Sequence, residues 1–235
     1  MTICIKNGQI HDAVTETAYT ADILVENGKI KAIGENLDGE AFAQAWRAEY
    51  QPAMERVRVG ARGYVVLDQL HRENLDRILP RFGLDDISEE QRTALTRLWH
   101  RLDAWPDVGA GLARLREMFW VAPCSNGHIA LMAGLARHNR WHWDALLGAE
   151  IAQDYKPKPI VYQASAAAFG LKPHECMMVA AHSFDLSSAA EAGLHTAHVA
   201  RPLEYGKGGI GETEPSVLVD LAVTDLVEFA RRLAL

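Results

Sequence analysis

Between residues 106 and 235, short apolar runs alternate with amphipathic segments. No other feature of the chain constrains the fold as much. The runs Phe119–Pro123, Ala145–Gly148, Met177–Ala181, Thr196–Ala200 and Leu221–Val223 read as strands. Gly109–Met118, Ile129–His138, Pro159–Phe169, Leu186–Ala192 and Leu226–Leu233 read as the helices between and around them. Strands that are nearly continuous in apolar residues are buried on both faces, so this pattern predicts a parallel sheet with helices on either side, an α/β core over 106–235. Ligands in such sheets sit beyond the carboxyl ends of the strands, which directs attention to the polar residues just after each one.

Two zones of different texture precede this core. Residues 38–105 carry a helical period: Phe42, Trp46, Tyr50, Met54 and Val57 fall on one helix face. Leu67, Leu70, Leu75 and Ile78 suggest a second helix that stops near Pro80, where the ring removes a donor and clashes with the preceding turn. Ser88 and Gln91 form a capping-box pattern ahead of Leu95, Leu98, Trp99 and Leu102. An all-helical cap subdomain is expected here. Residues 1–37 are rich in β-branched residues and glycine turns. Asn27-Gly28 between two alternating runs is a strong hairpin signal, and Lys6-Asn7-Gly8 reads as another turn, so three short strands are expected.

Lys and Arg number 24 against 31 Asp and Glu, a net charge of −7, which argues against a nucleic-acid partner. No apolar run reaches the ~18 residues that a spanning helix needs, so no membrane partner is expected. The N-terminus lacks a basic stretch followed by a long apolar one, so no secretory signal is expected. Cys4, Cys124 and Cys176 are odd in number and far apart, forming neither a disulfide framework nor a metal-ligand spacing. A reducing cytoplasm is the expected compartment.

Three strand ends carry candidate residues. Ser125-Asn126-Gly127 follows the first strand of the core. Its side chains could cap the next helix, or form an anion cradle with the helix amides. Tyr155-Lys156-Pro157-Lys158-Pro159 opens a helix, where the dipole disfavours a cation unless a carboxylate or a bound anion accompanies it. His182-Ser183-Phe184-Asp185 follows the strand near Met177–Ala181. Asp185 could be a plain N-cap, or the carboxylate partner of Lys156, each favouring the other's charged form. In the helical zone Arg47 adjoins Trp46, either laying its stem along the core edge or facing an anionic ligand.

The order of these signals resembles the type II 2-haloacid dehalogenases of the haloacid dehalogenase superfamily. The resemblance runs from about Asp38 to Leu235. It includes Ala45-Trp46-Arg47, Tyr50-Gln51-Pro52-Ala53-Met54, the L-D-x-L-H string from Leu67 to His71, and Gly193 to Pro202. It implies a Rossmann-like core under a helical cap. It also implies displacement of halide from the α-carbon of a short carboxylic acid by an aspartate, followed by hydrolysis of the ester. Under it Arg47 would hold the substrate and draw off halide, and Ser125, Asn126 and Tyr162 would bind the carboxylate or the departing halide. Lys156 would orient and offset the nucleophile, and Asp185 with His182 would serve the hydrolytic step. Ligands would be a small halogenated or plain carboxylic acid and a halide ion. No metal or other cofactor is implied, and a homodimer is compatible with the resemblance.

The nucleophile of that family sits in a D-x-x-G-T motif at the end of the first core strand, and this chain contains no such motif. Sliding glycine onto glycine sets Ile5 at the aspartate and Gln9 at the threonine; isoleucine cannot attack carbon. Residues 1–37 resemble instead the N-terminal β segment of amidohydrolases such as dihydropyrimidinases and dihydroorotases. The resemblance rests on I-K-N-G-Q-I from Ile5 and on the run from Ala21 to Leu37. The histidine motifs of that family are missing, since there is no H-x-H and His11 stands alone. The chain therefore reads as a join near Leu37–Gly39. A dehalogenase-type hydrolase with turnover impaired or absent is the leading expectation. An inactive carboxylate-binding remnant is the second. A relocated nucleophile, with Asp12 the first candidate, is the third. Thr2–Ile5 is expected to fill the first strand of the core in parallel, with Ile5 near Lys156.

Overall fold

The computed structural model describes residues 2–10, 19–26, 29–34, 39–206 and 210–234. His11, Asp12, Leu37, Asp38 and the turn residues Asn27-Gly28 lie outside the described residues. Backbone contacts divide the chain into two units, residues 1–53 with 70–95, and residues 54–69 with 96–235. The helical stretch expected over 38–105 contributes to both.

In the first unit, strands β1 (Thr2–Ile10), β2 (Tyr19–Glu26) and β3 (Lys29–Gly34) form an antiparallel sheet in that order. Glu26 pairs with Lys29 across Asn27-Gly28, as the hairpin signal requires. Lys6-Asn7-Gly8 is not a turn. It lies within β1, where the register shifts between the pairs Ile5↔Ile23 and Gly8↔Ala21, a bulge that sets two residues opposite one.

The placement of Thr2–Ile5 in the parallel core is corrected by its pairing. The segment runs antiparallel to Ile23–Glu26, and no strand of the α/β sheets pairs with it among the described residues. The physical reason is local. The strong hairpin makes β2 available as an edge within a few residues, so pairing with it closes a far shorter loop than pairing with a strand 120 residues on.

Helices α1 (Gly39–Ala48), α2 (Tyr50–Arg58), α3 (Leu67–Ile78) and α4 (Glu89–Thr96) follow. Trp46, Leu70, Leu75 and Ile78 are buried, and the Trp46 indole N–H donates to the His71 carbonyl at 2.8 Å. The helix at Pro80 stops where expected, passing into a 3₁₀ turn that Gly83 closes in the left-handed region at φ 63°. The capping box at α4 is reciprocal. Ser88 N–H donates to Gln91 Oε1 at 2.7 Å, and Gln91 N–H to Ser88 Oγ at 3.2 Å.

The second unit is the α/β core. It contains α5 (Val108–Arg116), β4 (Cys124–Ser125), α6 (Ile129–Asn139), β5 (Leu147–Gly148), α7 (Ala149–Ala152) and α8 (Pro159–Ala168). It ends with β6 (Met177–Ala180), α9 (Ser183–Glu191), β7 (His195–Val199), β8 (Leu221–Val223) and α10 (Leu226–Leu233). Strands β4 and β5 pair in parallel, and β6, β7 and β8 form a second parallel sheet in that order.

Alternation along β6 shows why both faces are apolar. Val179 packs with Leu115, Ala197, Val199 and Phe229 of the cluster under α5 and α10. Met178 and Ala180 pack with Tyr162, Leu186 and Ala189 of the cluster under α8 and α9.

The expected strand at Phe119–Pro123 is displaced to Cys124–Ser125. Val121 gives its N–H to Asp144 Oδ2 and its carbonyl to Asp144 N–H. Pro123 has no N–H, and Phe119 and Trp120 are 47% and 65% exposed. Among the described residues, no helix is long and apolar enough to cross a membrane.

Candidate active site

Three strand-end segments of the core converge. Pro157 and Pro159 bend the chain into α8 and Lys156 sits just before that bend, its side chain 13% exposed. Asp185 lies in the first turn of α9, its side chain 8% exposed. Lys156 Nζ donates to Asp185 Oδ2 at 2.5 Å, and Tyr162 Oη donates to Asp185 Oδ1 at 2.5 Å. The N-cap of α9 is His182, so Asp185 is the partner of Lys156 and not a cap. Burial, then the neighbouring Asp185 charge, pushes the Tyr162 phenol well above its ordinary range, so it stays a donor.

Ser125 and Asn126 do not cap α6, whose N-cap is His128. Ser125 Oγ accepts from Gly127 N–H at 2.9 Å, and Asn126 Oδ1 accepts from Lys156 N–H at 2.8 Å. The Asn126 bond ties the loop after β4 to the lysine segment. Arg58, from α2, donates to the Lys156 carbonyl at 2.8 Å. Cys124, beneath this loop, has its thiol pushed up by burial, which Lys156 partly offsets.

His182 turns to another acid. Its Nε2 pairs with Glu204 Oε2 at 2.8 Å, and its ring stacks on Phe184. The next residue, Ser183, donates from its N–H to Glu212 Oε2 at 3.0 Å and from its hydroxyl to the same carboxylate. Arg47 stands exposed in the last turn of α1, in the other unit. Ser125, Asn126, Lys156, Tyr162 and Asp185 are thus joined by hydrogen bonds or sequence, and His182 adjoins them across one turn of α9. Sequence reading missed Arg58, Glu204 and Glu212. The two glutamates follow β7, the same strand-end signal that found Asp185, but no spacing singled them out. Lys156 with Asp185 provides a fixed ammonium–carboxylate pair that can hold an anionic carboxylate in place and position a water.

A family model described as haloacid dehalogenase-like hydrolase matches residues 2–193. The chain is 42% identical to an L-2-haloacid dehalogenase of known crystal structure, covering 86% of each chain with a TM-score of 0.82. It is 38% identical to a defluorinating L-2-haloacid dehalogenase, covering 86% of this chain and 83% of that one with a TM-score of 0.83. It is 28% identical over 172 residues to (S)-2-haloacid dehalogenase 4A of Burkholderia cepacia, 71% of this chain and 74% of that one. The parallel sheets, the strand-end lysine–aspartate pair and these likenesses together place the chain in the haloacid dehalogenase-like hydrolase family.

Proposed function

We propose that this chain is a 2-haloacid dehalogenase by descent whose halide-displacing step is impaired or absent. The observation that carries the proposal is the hydrogen-bonded Lys156–Asp185–Tyr162 group beside Asn126, set against the antiparallel pairing of Thr2–Ile5 with β2. These side chains supply groups that would flank the reaction, while the isoleucine at position 5, aligned with the family's aspartate, cannot attack carbon.

In this reading Lys156 is the cation that would orient the nucleophile. Ser125, Asn126, Tyr162 and Arg47 would take the substrate carboxylate and halide. Asp185, with the His182–Glu204 pair, would serve the hydrolysis of the ester. Residues 38–105 would be the cap over the core of 106–235, and residues 1–37 an amidohydrolase-like segment joined near Leu37–Gly39. What remains is binding of small carboxylates and halide.

Halide release from chloroacetate and (S)-2-chloropropionate, followed by ion chromatography, is expected to stay at the uncatalysed rate. Clear turnover by the unmodified chain would overturn the reading and make Asp12→Asn the next variant. The double variant Ile5→Asp/Gln9→Thr is expected to remain inactive, because position 5 belongs to an antiparallel ladder. Replacing residues 1–37 by a strand that carries D-x-x-G-T is expected to restore release.

A further inference from the structure

Asp68, from the L-D-x-L-H string, takes no part in the site above. It sits in the first turn of α3, in the same unit as the α/β core. Its carboxylate meets two imidazoles from distant parts of the chain. His100 Nε2 lies 2.9 Å from both Oδ1 and Oδ2 of Asp68. His128 Nε2 lies 3.6 Å from Oδ2, too long for a hydrogen bond.

The three ligand atoms all fall within 4.8 Å of one another. Zinc bonds of about 2.0–2.1 Å in tetrahedral geometry set neighbouring ligand atoms about 3.3 Å apart. The two histidine–carboxylate separations of 2.9 and 3.6 Å bracket that spacing, and the two imidazole ligand atoms lie within 4.8 Å of each other, so closing on a common centre requires the side chains to draw together.

The surroundings hold the rings in place. His128 is the N-cap of α6 and its side chain is 6% exposed, with Nδ1 buried and without a hydrogen-bond partner. His100 rests against α6 where Gly134 leaves room. A Cβ there would lie 2.7 Å from His100 Nδ1. Two imidazoles and one carboxylate are a donor set that suits zinc, nickel or copper better than magnesium or calcium.

We propose that Asp68, His100 and His128 bind one divalent transition-metal ion of the zinc class. The site is separate from the Lys156–Asp185 group, and the ion has a positioning role. It would clamp the start of α3 and the His100 turn to the N-terminus of α6, which follows Ser125 and Asn126 directly.

The test uses the full chain stripped with a chelator and titrated with Zn²⁺ and with Co²⁺ alone, by calorimetry and visible absorption. One equivalent is expected to bind saturably, with the d–d absorption of four-coordinate cobalt and a raised unfolding temperature. Asp68→Asn and His100→Ala are each expected to weaken binding at least tenfold. His138→Ala, which removes an exposed His–Asp pair with Asp103, is expected to leave it unchanged. Absence of saturable binding by the wild-type chain would overturn the proposal. So would unchanged affinity in both ligand variants, or a loss equally large in His138→Ala. Should circular dichroism show a ligand variant unfolded, the wild-type cobalt spectrum decides alone: octahedral, nitrogen-free absorption rejects the site.

Discussion

Asp185 accepts from a lysine and a tyrosine at once, in a place where water reaches little of either side chain. Removing one partner of such a pair leaves an uncompensated charge, at a cost of about 3–5 kcal/mol. Lys156→Ala and Asp185→Ala are therefore each expected to lower the urea-unfolding free energy by about 3 kcal/mol, and the double variant by clearly less than the sum. Additive losses would show that the pair is not coupled. Tyr162→Phe deletes a single donor and is expected to cost about 1–2 kcal/mol.

Asp107 makes a second, half-buried pair, with Arg201 at 2.8 and 3.1 Å, and also accepts from Leu226 N–H at the start of α10. Burial alone would raise its carboxyl, but Arg201 and the Leu226 N–H outweigh burial and hold it below the usual carboxylate range. A carboxyl depressed in the folded state contributes stability above its unfolded value of about 3.9, lost as pH falls through the lower folded value. The stability gap between the wild-type chain and Asp107→Asn is accordingly expected to be full at pH 6 and to narrow below about pH 4. A gap that stays constant down to pH 2 would exclude this linkage.

At the level of elements, the short ladder of β4 with β5 depends on one glycine. Gly148 sits at φ +118°, and a Cβ there would fall 2.2 Å from the Ser125 carbonyl oxygen and 2.5 Å from its nitrogen. The obstruction is backbone, which cannot step aside without separating the strands. Gly148→Ala is expected to destabilise by about 2–4 kcal/mol and to disturb the Ser125-Asn126 loop as well. Loss of small-anion binding should therefore accompany the lowered unfolding midpoint. An alanine variant as stable as the wild-type chain would show that the two strands are not held this closely. The helix ends are simpler, because their information is local. Ser88 with Gln91, and Asp225 accepting from Glu228 N–H at 2.7 Å, cap α4 and α10 from residues three apart in sequence.

On the largest scale, the parallel strands among the described residues fall into two ladders, β4–β5 and β6–β7–β8. Residues Val121 to Ser125 are only half-buried although their neighbours share the two core clusters. A core organised this way forgoes part of the apolar burial that a continuous sheet supplies, at roughly 25 cal/mol per Å². Replacing residues 1–37 by a segment whose strand joins the parallel sheet is expected to raise the urea midpoint as well as to restore halide release. If stability rises without activity, the strand is seated but the residual site is incompetent.

Periodicity and local chemistry sufficed for most of the helices, the cap of α4, the apolar strands after residue 145 and the hairpin around Asn27-Gly28. Those features are written in residues a few positions apart, and each satisfies its own hydrogen bonds or buries its own face. Strand order alone also puts Lys156 and Asp185 at neighbouring strand ends. Partner choice was not legible. Ile5 could pair with a core strand or with Ile23, and only the competition between a short loop and a long one settles that. His182 could have faced Asp185, but Glu204, 22 residues on, lies closer once the chain turns after β7. Asp68, His100 and His128 are spread over 60 residues with no motif spacing, so their meeting is a product of helix packing alone. Local sequence determines which elements form. Which side chains share a site depends on how those elements pack, and that is a property of the folded chain.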